Sequence, residues 1–113
     1  MSKYKIDFML EMIERVEIIV KRHGGIAEAL NDIEGEMSIL MAIAQIGESL
    51  KKLPDSVLKK YELYEDKKGA YYTRNYIVHE YEGVDLAFVE NIVRNYLPVL
   101  KEKLINIKEK NGF

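Results

Sequence analysis

Met37-Ser38-Ile39-Leu40-Met41-Ala42-Ile43-Ala44-Gln45-Ile46-Gly47-Glu48-Ser49-Leu50-Lys51-Lys52-Leu53-Pro54 carries its apolar residues in two helical rows rather than one. Met37, Leu40, Ala44 and Gly47 recur at intervals of three or four, and Ile39, Ile43, Ile46, Leu50 and Leu53 form the second row. A helix that is apolar on two sides must be covered on most of its circumference. The stretch therefore belongs at the centre of a helical bundle or at a subunit interface. Gly47 lets a neighbouring backbone approach closely, at some cost in helix propensity. Pro54 ends the segment, because the residue before a proline avoids helical geometry.

Working outward, a first helix is predicted from about Tyr4 to Arg22, with Phe8, Met12, Val16 and Ile19 on one stripe. Gly24-Gly25 closes it, since glycine readily takes the left-handed conformation found after helix ends. Downstream, Asp55 to Tyr64 reads as a short helix with Val57, Leu58 and Tyr61 inward, and Glu65-Asp66-Lys67-Lys68-Gly69 as a charged turn. A helix from about Ala70 to near Gly83 follows. Asp85 is suited to cap a last helix whose inner face carries Leu86, Val89, Val93, Tyr96, Leu100, Leu104 and Ile107. Pro98 lies inside that run and should kink it. The methionines, Met9, Met12, Met37 and Met41 among them, read as core filler. Nothing reads as a strand. The expected fold is an all-α, up-down bundle of four or five helices in one domain spanning residues 1–113.

Composition narrows the functional classes. The longest unbroken apolar run, Ile39 to Ala44, falls far short of the ~20 residues that span a bilayer, so no membrane segment is expected. The charged first residues do not form a secretory signal, and the expected location is the cytoplasm. With no cysteine, disulfides, thiolate zinc sites and cysteine nucleophiles are all excluded. Two histidines far apart give no transition-metal site, so neither a metal nor a cofactor is expected. His23, after Lys21-Arg22 at a helix end, reads as a capping histidine. The formal net charge of -2 argues against a generic basic coat for nucleic acid. Charge is uneven, however: residues 51–74 alone carry seven basic and four acidic side chains. That segment is either a lysine-rich solvated face or a patch that attracts phosphate.

The basic segment leads into Arg74-Asn75-Tyr76-Ile77-Val78-His79-Glu80-Tyr81. Arginine offers a permanent charge and a planar fork suited to phosphate oxygens, and histidine gives or takes a proton near neutrality. Asn75 lies one helical turn before His79 and could hold the imidazole through a hydrogen bond. These are sufficient parts for RNA cleavage without a metal. Histidine would assist attack by the 2′-hydroxyl or departure of the 5′-oxygen, and arginine would stabilise charge on the phosphoryl group. Arg74 falls on one row with Tyr71, Val78 and Tyr81, about 140° around a regular helix from His79, so spacing alone does not make the two a tight pair. They could serve one site if the helix loosens near Gly83, or if a second protomer closes the gap. The bland readings are a histidine interacting with a helix dipole and an arginine paired with an acidic neighbour. Tyr71, Tyr72, Tyr76 and Tyr81 could stack bases, although aromatic residues at helical spacing more often serve core or interface.

The stretch resembles the R-x-x-x-x-H-x-Y signature of the HepT-like branch of the HEPN superfamily. Ala44-Gln45-Ile46-Gly47-Glu48-Ser49 is similar to that branch's pattern around an Ile-Gly-Glu core. Tyr81-Glu82-Gly83-Val84-Asp85 and a final helix containing Tyr96-Leu97-Pro98 resemble its continuation. The resemblance covers the chain from about Met37 onward and only loosely the N-terminal third. It implies a HEPN-like homodimer whose motifs meet across the interface, with Arg74 and His79 catalytic and Asn75 supporting. It further implies a ribonuclease toxin of a toxin–antitoxin module, acting on RNA. Its partner would be a minimal nucleotidyltransferase antitoxin that transfers AMP to Tyr81. The chain departs from the family in lacking a tryptophan upstream of the motif and in carrying Tyr61 to Tyr72 there, with an inserted-looking 65–69 segment. A competing reading is a non-catalytic helical dimer that serves as partner subunit of a nucleotidyltransferase.

Overall fold

Helix α1 (Ser2–His23) ends where the sequence supplies its glycines. The Gly25 amide donates to Val20 O at 3.0 Å and the Gly24 amide to Lys21 O at 3.2 Å, while Gly24 takes φ 86°. This double closure satisfies carbonyls that the helix end would otherwise orphan. The computed structural model describes residues 2–111. Ile6, Met9, Met12, Ile13 and Val16 form the buried face of α1, while Phe8 and Ile19 are only half-buried. The stripe is thus rotated slightly from the one expected. A five-residue helix, α2 (Ile26–Leu30), was not anticipated because it is too short to display a period. It buries Ala29 and Leu30.

Helix α3 (Ile33–Lys51) starts earlier than the stretch that announced it, because the Asp32 carboxylate accepts from the Gly35 amide and caps it. Its Ile39, Ile43, Ile46 and Leu50 row is buried, and Leu53 just beyond the helix is buried too. The other row divides. Leu40 and Gly47 are buried, whereas Met37 is 53% exposed, and its neighbour Met41 is 59% exposed. Met37 and Met41 are therefore not core filler in this chain, although Met9 and Met12 are. The helix lies between α1 and α5 and leaves one apolar edge open.

Helix α4 (Asp55–Lys60) buries Leu58 and half-buries Val57 and Tyr61. It closes with the same double bond pattern as α1: Leu63 N to Leu58 O at 2.8 Å and Glu62 N to Lys59 O at 3.4 Å. Here the left-handed residue is Glu62, with φ 54°. Helix α5 (Tyr64–His79) begins immediately afterwards, so the expected charged turn at 65–69 is instead the first part of a helix. The physical reason is Asp66. Its carboxylate is buried and accepts from the Tyr96 hydroxyl at 2.6 Å and the Lys103 ammonium at 2.9 Å. Burial, and then the bond to Asp66, raises the Tyr96 hydroxyl well above its ordinary value. Helix α5 stops at His79 rather than near Gly83, and residues Tyr81–Gly83 form one turn of 3-10 helix.

Asp85 caps the last rod by accepting from the Ala87 amide at 3.0 Å, as expected. Helix α6 (Leu86–Asn91) passes into a π-helical segment (Ile92–Tyr96) and then α7 (Leu97–Lys110). The predicted disturbance at Pro98 takes this form: the Leu97 amide reaches back five residues to Ile92 O, and Pro98 sits in the first turn of α7, where its missing N–H costs nothing. Val89, Val93, Leu97, Leu100, Leu104 and Ile107 are buried along the rod. Four long rods with two short helices thus make the expected all-α bundle, with no strand among the described residues. No described helix is long and apolar enough to cross a membrane.

His23 lies between two acceptors, with Nδ1 2.8 Å from Ile19 O and Nε2 3.1 Å from Asp32 Oδ2. Both nitrogens then need protons, which favours the imidazolium. The bond to the Ile19 carbonyl, with help from Asp32, raises the His23 pKa above 6.5. A raised folded-state pKa means that the stabilisation is complete below 6.5 and is lost as pH rises through the folded value. Thermal midpoints measured across that window should fall with pH in the wild type, and His23→Ala should flatten the trend. At Gly47, an added Cβ would lie 2.5 Å from Ala70 O and 2.9 Å from Arg74 Cβ. Gly47→Ala should therefore force α3 and α5 apart and cost about 1–3 kcal/mol in denaturant unfolding.

Candidate active site

Glycine at position 47 brings Arg74 against α3. The guanidinium Nε lies 3.2 Å from Glu48 Oε2, one residue beyond the contact point. This is an ion pair without hydrogen-bond geometry, since that oxygen accepts no hydrogen bond. Arg74 also donates from Nη1 to Asn75 Oδ1 at 2.8 Å. A guanidinium has five N–H donors, so the remaining ones are free to meet a ligand. The Glu48 carboxylate also reaches Lys52, at 3.7 Å.

Arg74 opens into a cleft of 260 Å³ between α3 and the C-terminal half of α5. Leu40, Met41, Ala44, Gln45, Ile77, Val78 and Tyr81 complete its walls with Glu48. The open edge of α3 leads into it: Ile33, Met37 and Met41 are exposed at steps of four, and Gln45 continues the row. Val78 and Tyr81 are also exposed. Arg74 and Tyr81 thus share one cleft, as the sequence grouping suggested.

His79 does not line it. It is the last residue of α5, is exposed, and makes no side-chain hydrogen bond among the described residues. Asn75 was expected to orient that imidazole, but its carbonyl oxygen is engaged by Arg74 instead. The arrangement within one chain follows from the helical angle of about 140° between positions five apart.

The tyrosines divide by role. Tyr76 is half-buried, accepts from the Asp85 amide at 2.8 Å and packs edge-on to Phe88 at 5.6 Å, so it fixes the turn after the motif. Tyr72 is exposed on the far side of α5, at the mouth of a separate, largely apolar cavity. Tyr71 lies beside Arg74, whose Cζ is 5.6 Å from the ring centroid. It also accepts from the Lys51 ammonium at 3.0 Å, which raises the Lys51 pKa. Lys51 and Glu48 were not singled out as site residues from the sequence. Their signal was positional, since both fall within two turns of Gly47. No group of three or more His, Cys, Asp or Glu side chains converges among the described residues.

Comparison with known proteins places the chain in a family. A family model described as "Ribonuclease HepT-like" matches residues 9–107. The chain is 33% identical over 73 residues to "Gamma-glutamylcyclotransferase and putative RNase MJ0434" of Methanocaldococcus jannaschii, covering 65% of this chain and 32% of that protein. It is 26% identical over 93 residues to "Putative RNase MJ0127" of the same organism, covering 80% of this chain and 76% of that protein. The chain therefore spans about a third of the first relative and about three quarters of the second. No solved structure matches it. With the family model covering nearly the whole chain, from within α1 to within α7, this protein belongs to the HepT-like ribonuclease family.

Proposed function

We propose that the protein is a metal-independent endoribonuclease and the toxin of a toxin–antitoxin module, working as a homodimer. The observation that carries the reading is Arg74, held by Glu48 and Asn75 at the head of a cleft with donors to spare. Those donors suit the non-bridging oxygens of a phosphodiester, and they strengthen as negative charge builds on phosphorus. His79 supplies the proton chemistry. The 2′-oxygen forms a bond to phosphorus as its proton leaves, the bond from phosphorus to the 5′-oxygen breaks, and that oxygen takes up a proton. The products are a 2′,3′-cyclic phosphate and a free 5′-hydroxyl.

A second chain supplies what one chain separates. The exposed Ile33, Met37 and Met41 edge runs into the Arg74 cleft, and apolar surface of this kind favours burial against a partner. A two-fold interface there would bring His79 of one protomer toward Arg74 of the other. The non-catalytic alternative draws support from the exposed, unpartnered imidazole of His79.

Cleavage assays separate the two. His79→Ala should lower the cleavage rate by about 10²–10⁴-fold and Arg74→Ala by about 10²–10³-fold, with helical content unchanged. Undiminished cleavage by pure His79→Ala protein would sink the catalytic assignment. Met41→Asp should shift the protein to monomer in sedimentation and lower activity together with it.

Tyr81 is the proposed acceptor of AMP from a minimal nucleotidyltransferase antitoxin. It is exposed and lines the cleft beside Arg74, so an adenylyl phosphate there would occupy the place of the RNA phosphate. Coexpression with the nucleotidyltransferase should add one adenylyl mass to the intact protein and silence cleavage. An adduct that persists unchanged in Tyr81→Phe counts against this assignment.

A further inference from the structure

Lys51 stands out among the lysines near the cleft because no described carboxylate lies within ion-pair distance of it, although the charge of Glu48 favours it at longer range. Glu48, the carboxylate nearest to it in sequence, faces Arg74 and Lys52, and no described carboxylate pairs with Lys51. Its ammonium is held instead by a neutral group, the Tyr71 hydroxyl at 3.0 Å, with the nitrogen 4.6 Å from the ring centroid. Such a partner fixes the position of a charge without cancelling it. Arg74 lies against the same ring, so two cations are neighbours, and the charge of Arg74 opposes that of Lys51. An anion between or across them would relieve that repulsion. Both belong to residues 51–74, which carry seven basic and four acidic side chains.

We infer that Lys51 is a second phosphate-binding cation of this site, positioned by Tyr71 and contacting the RNA backbone next to the phosphate held by Arg74. This rests on the RNA-cleaving reading and deepens it. The substrate is a strand that continues past the scissile bond toward the C-terminal end of α3, rather than a dinucleotide. Lys51 is a binding residue, since a flanking phosphate does not change charge during the reaction. Its loss raises KM and leaves kcat nearly unchanged.

The test uses the wild-type protein and a 2′-O-methyl RNA oligonucleotide, which keeps every phosphate and lacks the attacking hydroxyl. Fluorescence anisotropy at several salt concentrations gives Kd and its salt dependence. Lys51→Met, which keeps the apolar stem, should weaken binding about tenfold. It should also flatten the slope of log Kd against log salt by about 0.7, the value for one lost contact to a single strand. Lys51→Arg should restore both. Tyr71→Phe, which removes the acceptor and keeps the ring, should weaken binding by less. If wild-type protein binds and cleaves RNA while Lys51→Met matches it in Kd and slope, the inference fails and the reading stands. If wild-type protein neither binds nor cleaves RNA, both fall. If Lys51→Met binds RNA normally but loses the nucleotidyltransferase, the cation serves a protein partner and the inference is wrong.

Discussion

The close passage of α5 over Gly47 is the constraint on which the candidate site depends. A helix pair normally keeps its backbones apart by the length of two side chains, typically 8–10 Å between axes. Here the Ala70 carbonyl and the Arg74 Cβ occupy the space that a Cβ on residue 47 would need. Arg74 therefore enters beside Glu48 with most of its length already spent on packing, and its guanidinium is restrained before any ligand arrives. Restraint of this kind lowers the ordering entropy that a long side chain must otherwise lose on binding.

A second restraint acts at the other end of α5. Asp66 is tied to Tyr96 and Lys103, which sets the rotation of the helix about its own axis. With the rotation fixed there and the separation fixed at Gly47, the faces presented by Tyr71, Arg74 and Val78 have little freedom. The buried carboxylate is favourable because both its oxygens are satisfied; such a group left without partners would be costly in a bundle interior.

Comparison of two helix ends shows what the sequence could reveal. Helices α1 and α4 close with the same pair of backbone bonds. Gly24 announced the first, because glycine is the residue that takes positive φ without strain. Glu62 announces nothing, so the sequence marks neither the end of α4 nor the start of α5, and Asp66 falls in what reads as a turn. Row periodicity located α3 and the last rod well, since their core positions repeat. It could not say which apolar row of α3 stays open, because exposure of Met37 and Met41 depends on what packs alongside. The grouping of Arg74 with Tyr81 was legible from spacing. The diversion of Asn75 to Arg74, and the phenol shared by Lys51 and Arg74, were not, because both depend on side-chain directions.

The π-helical segment has an effect on how the last rod is to be read. Val89, Val93 and Leu97 follow one another in steps of four, more than a regular turn holds, and the wider turn at Ile92–Tyr96 absorbs the surplus. Beyond it the spacing returns to threes and fours through Leu100, Leu104 and Ile107. The rod thus behaves as two rulers joined with different zero marks. Relatives aligned across this point by uniform helical phase, as if it were one unbroken α-helix, would have the faces of α7 assigned with an angular offset. The error would pass unnoticed in α6 and appear where α7 meets α1 and α5.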